Sequence, residues 1–296
     1  SEQGEENADF NLAAIYYEGK VVRKDLDKAV YYFSRAADKG DKDALYILGE
    51  IFSDCDYKGF NIQKAIHYYI LSAEEGHDGA YFKIGNIYCN GKYIKHDIQK
   101  AIHFYELASS FNDSRANYKL ATIYYDGYYI EQDINKAMHY FSLAAEGNDI
   151  KAQNELGLIY YQGKFVPQNI NKAIYYFTLA SNNNYSRAQY NLGVLYSDGE
   201  YVQIDINKAI HYYELAAKQN FPKAYLNIGF IYIKGQYIQR NVNKAIHYFS
   251  LASDQDDADA QYNLGLIYCS GRYIQIDIQK GIHYLLLASN KNHLLS

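Results

Sequence analysis

The stretch NKAIHYYELAA, from Asn207 to Ala217, has near-copies at Gln63 (QKAIHYYILSA), Gln99 (QKAIHFYELAS) and Asn243 (NKAIHYFSLAS). Aligned on its lysine, the chain places Lys28, Lys64, Lys100, Lys136, Lys172, Lys208, Lys244 and Lys280 at a constant separation of 36 residues, without insertion or deletion. A period between about 20 and 50 residues marks an array of small repeats, each burying its apolar face against its neighbours. Eight repeats account for nearly all of the 296 residues.

Within a repeat the helical period occurs twice. In repeat 6, Ala188, Leu192, Leu195 and Tyr196 share one stripe, and Ala209, Tyr212, Tyr213 and Ala216 share another. Three residues before each lysine stands Asp25, Asn61, Asp97, Asp133, Asn169, Asp205, Asn241 or Asp277, a side chain suited to capping the start of the second helix. Twelve residues after it comes Gly40, Gly76, Asn112, Asn148, Asn184, Asn220, Asp256 or Asn292, mostly residue types that tolerate the left-handed conformation beyond a helix end.

The first helix carries its own punctuation. Gly49, Gly85, Gly157, Gly193, Gly229 and Gly265 recur inside it, with Ala13 and Ala121 in the other two repeats. A glycine there costs about 1 kcal/mol unless close approach offsets the loss. A second glycine, Gly19, Gly91, Gly127, Gly163, Gly199, Gly235 or Gly271, ends the helix in seven repeats; repeat 2 has Cys55 there and a displaced Gly59, so a distorted loop is expected.

The net charge of -5 gives no basic surface for nucleic acid or anionic membrane, and no apolar run reaches the length that spans a bilayer. Cys55, Cys89 and Cys269 are read as three reduced thiols in a reducing, cytoplasmic compartment. Residues 1–7 read as an N-terminal tail or cut point and 8–296 as one repeat domain. The closing LLLASNKNHLLS has no polar capping helix, so apolar surface is expected at that end, leaving oligomeric state open.

The repeat AQYNLGLIYCSGRYIQIDIQKGIHYLLLAS, from Ala260 to Ser289, resembles the Sel1-like repeat: Ala, then Leu-Gly, Tyr, Gly, Asp, the lysine step and an aromatic pair. The 36-residue spacing favours this family over the related tetratricopeptide repeat, whose period is 34. The resemblance implies an all-α, right-handed superhelical solenoid of antiparallel helix pairs, first helices lining a concave face. It also implies a non-catalytic scaffold or adaptor for protein–protein interaction. Cysteine-rich relatives with β-lactam-binding activity carry a disulfide in each repeat, a pattern that three cysteines do not supply. A hydrolase of that type and a plain structural spacer are the alternatives.

Chemistry-bearing patterns are sparse. His67, His103, His139, His211, His247 and His283 each follow the repeat lysine by three residues, but neighbouring copies stand about 10 Å apart, too far to share a metal ion. His103 with Glu106 and His211 with Glu214 sit one helical turn apart and read as surface contacts rather than a base and its orienter. No phosphate loop, nucleophile elbow or Cys-x-x-Cys occurs, so no catalytic residue, metal or cofactor is expected. The 36 tyrosines are read mainly as packing, with Tyr196-type positions in the first helix and Tyr212-type positions in the second.

The expected binding face follows from register. Two residues after each opening alanine stand Phe10, Tyr46, Phe82, Tyr118, Asn154, Tyr190, Leu226 and Tyr262, and one further along stand Asn11, Ile47, Lys83, Lys119, Glu155, Asn191, Asn227 and Asn263. An extended peptide advances about 7 Å every second residue and suits an amide ladder of about 10 Å spacing when it runs obliquely. The expected site for a protein or extended peptide is therefore Asn191, Asn227 and Asn263 with Tyr190 and Tyr262, and Lys83 and Lys119 with Phe82 and Tyr118 as a subsidiary contact for acidic residues.

Overall fold

In a computed structural model of the chain, residues 2–292 are described, their side chains from 8 to 290. The described residues form sixteen helices and no strand. Repeats 1 to 4 hold α1 (Glu2–Glu18) and α2 (Leu26–Ala37), α3 (Lys42–Ser53) and α4 (Ile62–Glu74), α5 (Ala80–Asn90) and α6 (Ile98–Ser110), and α7 (Ser114–Asp126) and α8 (Ile134–Glu146). Repeats 5 to 8 hold α9 (Ile150–Gln162) and α10 (Ile170–Asn182), α11 (Ser186–Asp198) and α12 (Ile206–Ala217), α13 (Pro222–Lys234) and α14 (Val242–Asp254), and α15 (Ala258–Ser270) and α16 (Ile278–Asn292). Two compact units are present, residues 1–152 and residues 153–296. In both, the first helix of a repeat packs against its second, and the second helix packs against the first helix of the next repeat. α1 begins inside the stretch expected as a tail.

Caps fix where the helices begin and end. Asp25, Asn61, Asp97, Asp133, Asn169, Asp205, Asn241 and Asp277 each accept the amide of the repeat lysine three residues on. The backbone N–H of each same residue donates to a first-helix carbonyl, such as Asp205 to Tyr196 at 2.9 Å, closing the loop. Repeat 2 keeps this closure, Asn61 to Phe52 at 2.9 Å, although its loop departs from the others: Asp54 follows α3 in an extended conformation, and Cys55 stands where the others have a left-handed glycine. Beyond the second helices, Gly40, Gly76, Asn112, Asn148, Asn184, Asn220 and Asp256 all have positive φ, the five non-glycines between 59° and 66°. Asn292 falls where the described backbone stops.

In seven of the eight repeats packing turns on one ring; repeat 8 has Leu285 there. Phe33, Tyr69, Tyr105, Phe141, Phe177, Tyr213 and Phe249 are fully or nearly fully buried. In repeats 2, 3, 5, 6 and 7 the ring lies on the first-helix glycine: a Cβ on Gly193 would stand 2.5 Å from Tyr213, and one on Gly157 2.6 Å from Phe177. Here the structure corrects the reading of the second helix, since the buried core residue is the second of the aromatic pair. The first of the pair, the Tyr212 type, is half-buried and stacks parallel on the first-helix ring, as Tyr212 does on Tyr196 at 5.9 Å and 7°. At the last helix Ile278, Ile282, Leu286 and Leu287 are exposed; residues 293–296 lie outside the described residues.

Replacing a helical glycine with alanine normally stabilises a helix by about 1 kcal/mol. Gly193→Ala is expected to do the opposite, lowering stability by about 1–3 kcal/mol in thermal or urea unfolding, because the new methyl displaces the buried Tyr213 ring. Equal or higher stability would mean that the ring contact does not set the helix spacing.

Candidate functional site

The residues that recur most strictly hold the repeats together. The Nζ of every repeat lysine lies over the first-helix ring, from 4.4 Å for Lys280 over Tyr268 to 5.3 Å for Lys64 over Phe52. That ring stacks on the second-helix ring, and the residue preceding the latter packs against it: His67, His103, His139, His211, His247 and His283 sit 5.2 to 5.7 Å from the adjacent ring. All six histidines are exposed. Glu214 accepts the Tyr248 hydroxyl at 2.8 Å rather than orienting His211. Burial first, and then this bond, raises the Tyr248 hydroxyl above the ordinary phenol range. Among the described residues, the group with metal-ligand spacing is Asp54, Cys55 and Asp56, all exposed in the atypical loop. Cys55, Cys89 and Cys269 are free thiols.

Within residues 1–152, the expected subsidiary contact is brought together in part. Phe82 packs on Tyr105 at 5.9 Å and carries the Arg115 guanidinium 4.6 Å above it, while Tyr118 packs on Phe141 at 6.1 Å. Lys83 is already engaged, donating to Glu50 of the preceding first helix at 2.6 Å. Burial works against its charge, and the bond and charge of Glu50 more than offset this, holding the ammonium above its usual range. Lys119 lies half-buried on α7.

Within residues 153–296, the amide ladder is engaged internally, two of its three residues joining adjacent repeats. Asn191 donates to Asn154 Oδ1 at 3.3 Å, Asn227 donates to the Tyr190 hydroxyl at 3.3 Å, and Asn263 turns back to the Asp259 carbonyl at 2.7 Å. Tyr190 lies against Tyr213 and Phe221, with ring centroids 5.6 and 4.9 Å away, whereas Tyr262 is 51% exposed. The row expected to project freely does so unevenly, because Asn154 and Leu226 are buried at 1% and 7% exposure.

Sequence reasoning missed a pairing between the two helices of a repeat. Where the second helix buries a tyrosine, at Tyr69, Tyr105 and Tyr213, the facing first-helix residue is small, Ser53, Cys89 and Ser197; where it buries Phe33, Phe141, Phe177 or Phe249, the facing residue is Tyr17, Tyr125, Tyr161 or Ile233. The small residue meets the hydroxyl: Ser197 Oγ and Tyr213 OH share a hydrogen bond at 3.1 Å, and Ser53 and Tyr69 stand at 3.5 Å. This co-substitution is written in the sequence, but only the fold tells which positions face each other.

An all-α array of paired helices is the class these features define. The profile of the Sel1 repeat matches residues 7–41, 42–77, 79–110, 114–149, 150–185, 186–221, 222–257 and 258–293, and the chain belongs to the Sel1 repeat family. Its fold is similar to that of a protective antigen of uropathogenic Escherichia coli with an SLR fold (TM-score 0.86, 24% identity), covering 98% of this chain and 62% of that one. It is also similar to a Sel1 repeat protein from Oxalobacter formigenes (TM-score 0.74, 25% identity, 98% of this chain and 84% of that one). The chain thus spans less than two thirds of the antigen's length. No curated protein sequence matches it significantly. Repeats of this family generally serve as protein-interaction scaffolds. No helix among the described residues is long and apolar enough to cross a membrane.

Burial pushes the Tyr213 hydroxyl up to about 12, against the partial pull of its bonds to Ser197 and Asn227. An acid whose pKa rises on folding adds stability below its unfolded pKa, and that stability is lost as pH rises toward the folded value. The window is therefore about pH 10 to 12, with a contribution of about 2–3 kcal/mol. Tyr213→Phe is expected to shrink the fall in melting temperature between about pH 9 and 11.5. An identical fall in both proteins would sink the assignment.

Proposed function

We propose that the chain is a non-catalytic scaffold that binds protein partners, or extended segments of them, through the outward residues of its first helices. The observation that carries this reading is the division of labour among positions. Residues constant from repeat to repeat, the lysine, the cap and the ring pair, are spent on internal contacts. The first-helix row changes from repeat to repeat on that constant frame, running Lys83, Lys119, Asn191, Asn227 and Asn263 beside Phe82, Tyr118, Tyr190 and Tyr262. A fixed frame with a variable face suits recognition of a partner. Each asparagine amide offers two donors and an acceptor, so one bond to a neighbouring repeat leaves capacity for a peptide backbone. The free thiols lack the per-repeat disulfides of the lactam-binding relatives.

The test is the triple variant Asn191→Ala, Asn227→Ala, Asn263→Ala, with Asn11→Ala as control. Partners captured by the wild-type chain from its source cell are expected to bind the triple variant at least about tenfold more weakly, given about 0.5–1.5 kcal/mol per lost hydrogen bond. Helicity and melting are read first, because Asn191 and Asn227 also join adjacent repeats. Unchanged affinity for the same partners would remove the groove assignment. Turnover of a chromogenic lactam by the purified chain would remove the non-catalytic one.

A further inference from the structure

Two cavities in the molecule are the same cavity, built twice. One of about 400 Å³ lies among α11, α12 and α13 and is lined by Ser197, Asp198, Ile206, Tyr213, Ile231 and Tyr237, among others. Another, of about 790 Å³ among α3, α4 and α5, is lined by Ser53, Asp54, Ile62, Tyr69, Ile87 and Tyr93. Each residue of the second set precedes its counterpart by 144 positions (197 against 53), which is four repeats of 36. Each cavity lies within one compact unit. Both volumes fall in the range of about 300–1,000 Å³ typical of ligand sites.

The serine–tyrosine pairing explains where the space comes from. In repeats 1, 4 and 5 the serine position holds Tyr17, Tyr125 or Tyr161 and the buried second-helix ring is a phenylalanine; Tyr17 and Tyr125 meet Phe33 and Phe141 edge-on at 6.2 and 6.0 Å. Tyr161 also meets Tyr201 edge-on at 5.7 Å and 81°. Tyr201 stands one repeat before Tyr237, the rim residue of the cavity beside Ser197. In repeat 5 the chain thus places a phenol of its own in the space that repeats 2 and 6 leave open.

We propose that each cavity is a socket for a phenolic side chain, a tyrosine of a partner polypeptide, seated as Tyr161 is seated in repeat 5. The isoleucine pair gives the ring apolar walls, and the rim tyrosine, 40% exposed at Tyr93 and 55% at Tyr237, offers an edge-on contact. The serine and tyrosine hydroxyls at the base, and the aspartate carboxylate at the mouth, offer partners to the incoming hydroxyl. Charges balance in both linings, Asp198 with Lys234 in one, and Asp54 and Glu50 with Lys92 and Lys83 in the other, which suits an uncharged group. The proposal rests on the reading of the chain as a binder of polypeptides.

A small probe separates the two readings, because it tests the sockets without any partner protein. N-acetyl-L-tyrosinamide is titrated into the isotopically labelled full chain, with N-acetyl-L-leucinamide as comparison, and chemical shifts are followed at Ser53, Tyr93, Ser197 and Tyr237. Saturable shifts at both clusters are expected for the tyrosine amide, with up to about tenfold weaker binding of the leucine amide, the scale of an aromatic pair contact. Ser197→Tyr with Tyr213→Phe reproduces the chain's own Tyr161–Phe177 pair and is expected to abolish the shifts around Tyr237 while leaving those around Ser53 and Tyr93. Ser53→Tyr with Tyr69→Phe is expected to do the converse. Tyr237→Ala, which alters only an exposed rim residue, is expected to weaken the first site alone. Absence of saturable shifts, equal binding of the leucine amide, or shifts that survive these variants would overturn the sockets; loss of partner capture in the triple asparagine variant would still stand for the scaffold.

Discussion

In five of the eight repeats the distance between the two helices is set by an aromatic ring lying on a glycine. Gly49, Gly85, Gly157, Gly193 and Gly229 have no room for a methyl group, because the buried ring of the partner helix occupies it at 2.5 to 2.7 Å. Once that ring is seated, its neighbour in sequence is turned onto the first-helix ring and stacks on it. The lysine one turn earlier covers the stack, and the cap residue closes the loop by binding the carbonyl of the stacked first-helix residue. Each of these five repeats is a chain of contacts started by one missing Cβ; repeats 1 and 4 have Ala13 and Ala121 at that position, and repeat 8 sets Leu285 on Gly265.

Repeat 2 illustrates which of these contacts the fold depends on. Its connecting loop has lost the left-handed glycine and runs through Asp54 and Tyr57 in successive turns, yet Gly49, Tyr69, the Phe52–Tyr68 stack and the Asn61 closure all remain. Loop conformation is therefore free to vary provided the ring, the stack and the closing bond persist. The exposed Asp54, Cys55 and Asp56 occupy ground that the packing does not constrain.

Much of this was legible in the sequence because it is local. A cap is read three residues from its lysine and a left-handed stop twelve residues beyond, and Asp205 and Asn184 behave as their spacing predicts. What lies across a helix pair was harder to read. In a doublet such as Tyr212-Tyr213 both residues face the interface, so the 3.6-residue period does not choose which is the core; the glycine opposite does. Contacts between repeats were harder still. Asn191 reads as an outward amide within its own helix, and only the neighbouring helix reveals its bond to Asn154. Similarity to proteins at 24 and 25% identity defines the array and not what it holds.

The stacked rings also give the molecule its optical character. The chain has no tryptophan, and six of its eight repeats pair two tyrosines face to face with interplanar angles from 2° to 8°. Its near-ultraviolet circular dichroism therefore carries a contribution from coupled phenols held at fixed geometry, one pair in each of those six repeats. Each of these six repeats loses its own coupled pair when it unravels, so the near-ultraviolet dichroism is a built-in register of how many of the six are intact.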